Sequence, residues 1–191
     1  MKRCKWLNEN NELYVYYHDH EWAVPNYDDN YMFEFLILES FQAGLSWETI
    51  LNKRENFKKA FDNFDYKKIA NYDENKINEL MTNSGIIRNK LKIKAAINNA
   101  KIFMEIQKEF NSFSNYIWSF TNNKIIKNIN DDFKTTSDLS DKVSKDLIRR
   151  GMKFVGSTII YSYLQAIGVI NDHETTCAFY KKWFLWYNIK Q

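Results

Sequence analysis

An all-α fold is what the sequence predicts, and two observations carry it. Only one proline and five glycines occur in 191 residues, and apolar side chains recur at the i, i+3, i+4 spacing of helices joined by short turns. A hydrophobic content of 45% suffices for a sizeable interior. The chain is therefore expected to form one domain over residues 1–191, or two small lobes sharing one core.

Taken in order, residues Trp6 to Trp22 read as a polar loop followed by the aromatic cluster Tyr14, Tyr16, Tyr17 and the string His18-Asp19-His20-Glu21-Trp22. Pro25 and Asn26 mark a turn, after which Asp28 or Asp29 can cap a helix. That helix spans about Tyr31 to Phe41, with Met32, Phe35, Leu36 and Leu38 on its apolar face. Glu39 interrupts the face near its end, so its carboxylate is either half-buried or poised in a cleft. Gln42-Ala43-Gly44-Leu45-Ser46-Trp47 then makes a small-residue turn with one apolar residue at its tip. Ser46 can N-cap a second helix running to about Phe61. Such a hairpin gathers Glu39, Leu45 and Trp47.

Asp65 and Asp73 sit where N-caps are expected, giving short helices at about Tyr66 to Asn71 and Glu74 to Asn83. The turn Asn83 to Ile87 leads into a long basic helix, about Asn89 to Phe110, and then a short one, Ser112 to Phe120. The stretch Thr121 to Ser137 is polar and reads as irregular loop. Ser140 to Arg150 and Ser157 to Ile167 are helical, separated by Gly151-Met152-Lys153-Phe154-Val155-Gly156. Over about 140–168 this is a helix-hairpin-helix pattern. In that pattern the second helix's N-terminal amides, together with Lys153, can hold a DNA phosphate.

Charge is distributed more informatively than its +3 total suggests. Between Trp6 and Asn52 there is no Lys or Arg, while nine acids occur, so a pocket built there favours a cation or neutral ligand over an anion. Thr82 to Met104 holds Arg88, Lys90, Lys92, Lys94 and Lys101 with no acid, and Lys142 to Lys153 is also mostly basic. Both are candidate surfaces for a nucleic-acid backbone. No signal-peptide pattern follows the basic N-terminus, and no run approaches ~18 apolar residues. A cytoplasmic chain with no membrane partner is therefore expected.

Two cysteines at opposite ends of the chain argue against a disulfide framework in a reducing compartment. His173 and Cys177, spaced i, i+4, are expected on one helix face, and Cys4 with His18 supplies two more borderline ligands. Together they can make a tetrahedral Cys2His2 site, with His20 competing for the place of His18. Four protein ligands leave no position for water, so such a zinc joins the termini and does not hydrolyse. A His-Glu-x-x-His motif is absent.

Several unusual strings occur in one order: Arg3-Cys4-x-Trp6, Tyr17-His18-Asp19-x-Glu21-Trp22-x-Val24-Pro25, Leu38-Glu39-x-x-Gln42-Ala43-Gly44-Leu45-Ser46-Trp47, Gly85-Ile86-Ile87-Arg88, Lys153-Phe154-Val155-Gly156 and Asn171-Asp172-His173. With them the chain resembles the DNA-3-methyladenine glycosylase I family of the helix-hairpin-helix DNA glycosylase superfamily, from Met1 to about Tyr180. The resemblance implies a monofunctional, monomeric base-excision repair enzyme acting on double-stranded DNA that carries alkylated bases. It would hydrolyse the N-glycosidic bond of 3-methyladenine, release the free base and leave an abasic site.

The resemblance further implies that Cys4, His18, His173 and Cys177 hold one structural zinc, joining segments of about 1–20 and 171–180. Glu39 is the implied catalytic residue, and Tyr17, Trp47, Glu39 and Trp6 the implied base-binding set. Gly44 and Leu45 would form a wedge entering the duplex, and Gly151, Lys153 and Gly156 would contact the DNA backbone. Asp172 lies near the place of the water-activating aspartate that the wider superfamily uses and this family dispenses with. It can also orient His173 or cap a helix. The chain departs from the family pattern in its aromatic tail, Lys181 to Gln191, which is expected to pack on the body or meet a partner, and at Ala23.

Overall fold

In the computed structural model, which describes residues 1–129 and 131–181, the predicted all-α architecture is present. The element order is α1 Glu12–His20, α2 Asp29–Gln42, α3 Trp47–Asn52, α4 Arg54–Ala60, a 3-10 turn Asp62–Phe64, α5 Tyr66–Ile69, α6 Glu74–Thr82, α7 Lys90–Phe110, α8 Phe113–Ser119, β1 Ile126–Lys127, α9 Asp138–Arg149, α10 Ser157–Ala166 and β2 Ile170–Asn171.

Helix α2 is the axis of the molecule. Every residue from Met32 to Phe41 is buried, as expected of a helix enclosed on all sides. It packs on α10, α7, α3 and α8. Asp28 caps it through Tyr31 N–H at 2.8 Å. The neighbouring Asp29 serves another element: its carboxylate accepts from Phe113 N–H and Ser114 N–H at 2.9 and 2.8 Å, tying the start of α8 to α2. Ser46, Asp65, Asp73 and Asn89 cap α3, α5, α6 and α7, each oxygen satisfying amides that have no partner inside the helix.

Three expectations change. The loop expected ahead of Trp22 contains α1, capped by Asn11. The helix expected from Ser46 to Phe61 is broken at Lys53 into α3 and α4. His173 and Cys177 do not share a helix: they follow β2 in a turn whose Cys177 N–H donates to Glu174 C=O at 2.8 Å. Their four-residue spacing is met by a turn because β2 pairs in parallel with β1, drawn from the stretch expected to be irregular. That pairing holds residues 170–171 extended.

The chain ends are sewn together. Ala178 N–H donates to Lys2 C=O at 2.9 Å, and Lys5 N–H to the Glu174 carboxylate at 2.7 Å. The aromatic tail, apart from Lys181, lies outside the described residues. Among the described residues no helix is long and apolar enough to cross a membrane.

Gly168 ends α10 with φ +76°, and a Cβ there would lie 2.3 Å from both Val24 C and Pro25 N. Neither backbone atom can swing away. Gly168→Ala is expected to cost roughly 2–4 kcal/mol in urea denaturation, from overpacking added to left-handed strain. A variant as stable as wild type would show that this backbone contact is not tight.

Candidate active site and metal centre

The turn Gln42–Ser46 carries the chain from α2 into α3, and with α1 it assembles one wall of a cavity of about 740 Å³. Trp6, Tyr14, Tyr17, Glu39, Gln42 and Trp47 form that wall. The Tyr17 and Trp47 rings lie 5.2 Å apart at 49°, with Phe35 behind them at 6.0 Å from each. Trp6 stands in a second aromatic group, 5.3 Å from Tyr14 and 4.7 Å from Trp22. The predicted set Glu39, Tyr17, Trp47 and Trp6 therefore does line one cavity.

Glu39 is 2% exposed. Its Oε2 is buried without a hydrogen-bond partner, as is Nε1 of Trp47. Burial alone pushes the Glu39 carboxyl well above the usual carboxylate range. An acceptor and an indole donor thus face a cavity with their bonding capacity unspent, and a ligand supplying a donor, an acceptor or a positive charge would satisfy them.

Three other acids of the 6–52 stretch, Asp19, Glu21 and Glu34, are neutralised in place by arginine. Arg54 donates to both Glu21 and Glu34, at 2.6 and 2.7 Å, and Arg3 grips Asp19 through both oxygens. The opposite side of the cavity adds what the local sequence did not show: Lys2, Lys5 and Lys134, beside Tyr161, Gln165 and Asp172. The Asp172 carboxylate accepts from Gln165 Nε2 at 2.6 Å, Asn128 Nδ2 at 2.7 Å and Tyr161 OH at 3.0 Å. It is a hub between β1, α10 and the segment after β2. Only long-range packing brings these residues here, and no local spacing announces them.

Gly44 has φ +81°, and Leu45 at the turn's tip is 41% exposed. The glycine is needed for its left-handed backbone, which projects the leucine outward. At the hairpin between α9 and α10, Gly151 has φ +98°, closing α9, whereas Gly156 has an ordinary φ and open space above it. Lys153 is exposed. Of the predicted basic surface, Lys90 and Lys94 share Glu74 and Lys92 is buried, whereas Arg88 and Lys101 are exposed. Arg149 and Arg150 likewise pair with Asp146.

Cys4, His18, His173 and Cys177 are all buried, and their donor atoms lie within 4.8 Å of one another. The histidines meet the cluster through Nε2, because their Nδ1 atoms are taken. His18 Nδ1 faces Asp19 Oδ1 at 2.7 Å and His173 Nδ1 faces Asn171 Oδ1 at 3.0 Å. His173 Nε2 is buried with no hydrogen-bond partner, so its lone pair is available to a metal ion. Burial raises the Cys4 thiol and lowers His173 to about 3. Neutral imidazoles are ready ligands, and the thiols need a cation to ionise. These residues fit a metal ion. His20, with its ring against Tyr16, is outside the cluster.

The family profile for methyladenine glycosylase matches residues 6–181. The chain belongs to the methyladenine glycosylase family. It is 42% identical to DNA-3-methyladenine glycosylase 1 of Escherichia coli over 183 residues, 94% of this chain and 97% of that protein. A crystal structure of a 3-methyladenine DNA glycosylase I superposes with a TM-score of 0.88 at 42% identity, covering 93% of this chain and 98% of that one. The Staphylococcus aureus glycosylase, whose structure concerns 3-methyladenine recognition, superposes with a TM-score of 0.88 at 36% identity, covering 93% and 96%. The family's helical architecture is thus shared across nearly all of both chains.

The bare Glu39 carboxyl carries a measurable consequence. Its folded-state pKa lies above the unfolded value of ~4.3, so wild-type stability falls as pH rises above ~4.3. Glu39→Gln is spared that loss, and is expected to be more stable by on the order of 1 kcal/mol at about pH 7 and no more stable at about pH 4. Urea denaturation at the two pH values decides it, and a variant destabilised equally at both would show that Glu39 is not a desolvated acid.

Proposed function

We propose that this chain is a monofunctional DNA-3-methyladenine glycosylase of base-excision repair. It would hydrolyse the N-glycosidic bond of 3-methyladenine in alkylated double-stranded DNA, releasing the free base and leaving an abasic site. The observation that carries this reading is the unpartnered Glu39 Oε2 on a residue that lines the cavity together with the paired Tyr17 and Trp47 rings. What relatives' names state of their activity supports it.

N3 methylation leaves the adenine of the nucleotide positively charged, so the glycosidic bond is already weak and little acid catalysis is required. Selection is the harder task. The nucleotide must leave the stack, at a cost of a few kcal/mol, and Leu45, held outward by Gly44, is suited to fill the gap. Tyr17 and Trp47 offer π faces that favour a cationic ring over a neutral one by roughly 0.5–2 kcal/mol. As the cationic base enters, Glu39 ionises against it, accepts from its exocyclic amine, and faces charge that moves to the sugar as the bond breaks. An ordinary adenine brings no charge to compensate the buried carboxylate, so it gains far less from the same walls.

The hairpin at Gly151, Lys153 and Gly156 would hold a backbone phosphate, with the α10 amides above Gly156 open to it. Lys2, Lys5 and Lys134 at the cavity lie where phosphates flanking the extruded nucleotide can reach. In this reading Cys4, His18, His173 and Cys177 hold one zinc, whose closed ligand set supplies structure and no bound water. Asp19 and Asn171, facing the Nδ1 atoms of His18 and His173, would fix the orientation of both rings. Asp172, spent on three donors, is read as a structural hub and not as a water activator. The enzyme is read as a single-domain, cytoplasmic monomer.

Incubation with methylated duplex DNA should release 3-methyladenine without strand cleavage, and no release at any enzyme level would leave only DNA binding. Glu39→Gln is expected to slow single-turnover release by about a hundredfold while keeping fold and metal. Unchanged release would remove Glu39 from the mechanism. Metal analysis of Cys177→Ser should show zinc lost and the thermal midpoint lowered. A fully metalated, equally stable variant would refute the ligand set.

A further inference from the structure

Helix α7 carries buried polar side chains to which the excision reading gives no task. Lys92 is 6% exposed, and its ammonium donates to the main-chain carbonyls of Phe41 and Ala43 at 2.8 and 2.7 Å. These carbonyls close the C-terminal end of α2, where oxygens lack helical partners and the dipole favours a cation. They flank Gln42 and immediately precede Gly44 and Leu45. The same ammonium lies 5.9 Å from the Phe154 ring centroid. Phe154, in the hairpin between α9 and α10, is tied to α2 a second time: its carbonyl accepts from Ser40 Oγ at 3.1 Å.

Two helical turns further along α7, on the same face, Asn99 is fully buried. It donates from Nδ2 to Lys153 C=O at 2.8 Å and accepts from Lys153 N–H at 2.9 Å. Asn98 Nδ2 donates to Gly151 C=O at 2.9 Å. One helix therefore holds the backbone of the hairpin and, through Lys92, the backbone that launches the Leu45 turn.

We propose that Lys92 is a positioning residue for base extrusion: it fixes the Gly44–Leu45 turn against the phosphate-holding hairpin, so that wedge and grip engage one duplex in register. This rests on the excision reading above. Lys92 is not among the cavity's lining residues, so its removal should spare the pocket while loosening the turn. A duplex in which extrusion is cheaper should then recover part of the loss, since a mismatched base leaves the stack more readily.

Lys92→Met and Lys92→Gln in the full chain test this, with wild type alongside. Three quantities are read: affinity for free 3-methyladenine by tryptophan fluorescence, single-turnover release from a methylated duplex, and release when the lesion sits opposite a mismatched base. Expected are unchanged free-base affinity, release from the matched duplex lowered about tenfold or more, and partial recovery on the mismatched duplex. If wild type releases base and both variants do so equally well, the assignment falls and the excision reading stands. It also falls if release and free-base affinity drop together, if the mismatch recovers nothing, or if neither variant folds, since Lys92 then serves only stability. A wild-type chain that releases no base overturns the excision reading, and this assignment with it.

Discussion

The rest of the structure depends on a carboxyl group buried where no partner meets one of its oxygens. Glu39 sits near the end of a helix whose ten preceding and surrounding positions, Met32 to Phe41, are all out of solvent. Such a group costs stability, which a marginally stable protein tolerates only where something else constrains the site. Here the constraint is helix α2 itself, packed on four other helices. A carboxylate on a loop would turn toward water. Because α2 cannot rotate, Glu39 stays pointed at the cavity, and the charge it needs has to come from whatever enters.

The metal-ligand cluster and the cavity share walls. Trp6 lies 5.3 Å from His18, and Trp22 lies 4.5 Å from His173. Trp6 and Trp22 both also line the cavity. The aromatic wall, drawn from the N-terminal segment, is thus backed by a cluster that joins the two ends of the chain, where residues 2–5 pair with 174–178 and the four ligands converge. An ion bound there would act on the pocket without touching it, by holding the segments that carry its rings. Arg3, clamped on Asp19 behind His18, extends the same support outward. Burial alone would raise the Asp19 carboxyl, but the Arg3 and His18 contacts outweigh it and hold it below its ordinary range.

Much of this was legible in the sequence, and what was not has physical reasons. Helix caps at Ser46, Asp65 and Asp73 are local chemistry, so they read correctly. The Glu39, Tyr17, Trp47 and Trp6 grouping and the four ligands rested on strings shared with a family, since tertiary proximity over 159 residues, as between His18 and Cys177, has no local signature. Helix α1 escaped because its residues are aromatic and charged all round and show little periodicity. The i, i+4 spacing of His173 and Cys177 suggested a helix, but a spacing fixes no conformation when a parallel strand pair upstream sets the backbone. Asn99 gave no signal, and Lys92 read as part of a basic surface, because a buried lysine and an exposed one look alike until their partners are known.

Charge distribution shows how these parts divide the work. The long helix α7 reads as a cationic surface, yet Lys90 and Lys94 pair with Glu74 and Lys92 donates to carbonyls in the interior. The net charge of +3 is small for a chain of this length, so indiscriminate attraction to the phosphate backbone is modest. For a chain that must find rare cationic bases among ordinary ones, a strong electrostatic grip would hold it at undamaged sites. In the proposed reading, backbone contact falls to the hairpin and to the lysines at the cavity, and discrimination to a cavity whose buried acid gains most from a positively charged guest. In that reading recognition draws on the cost of Glu39's burial: a cationic, alkylated base would recover energy that a normal base would not.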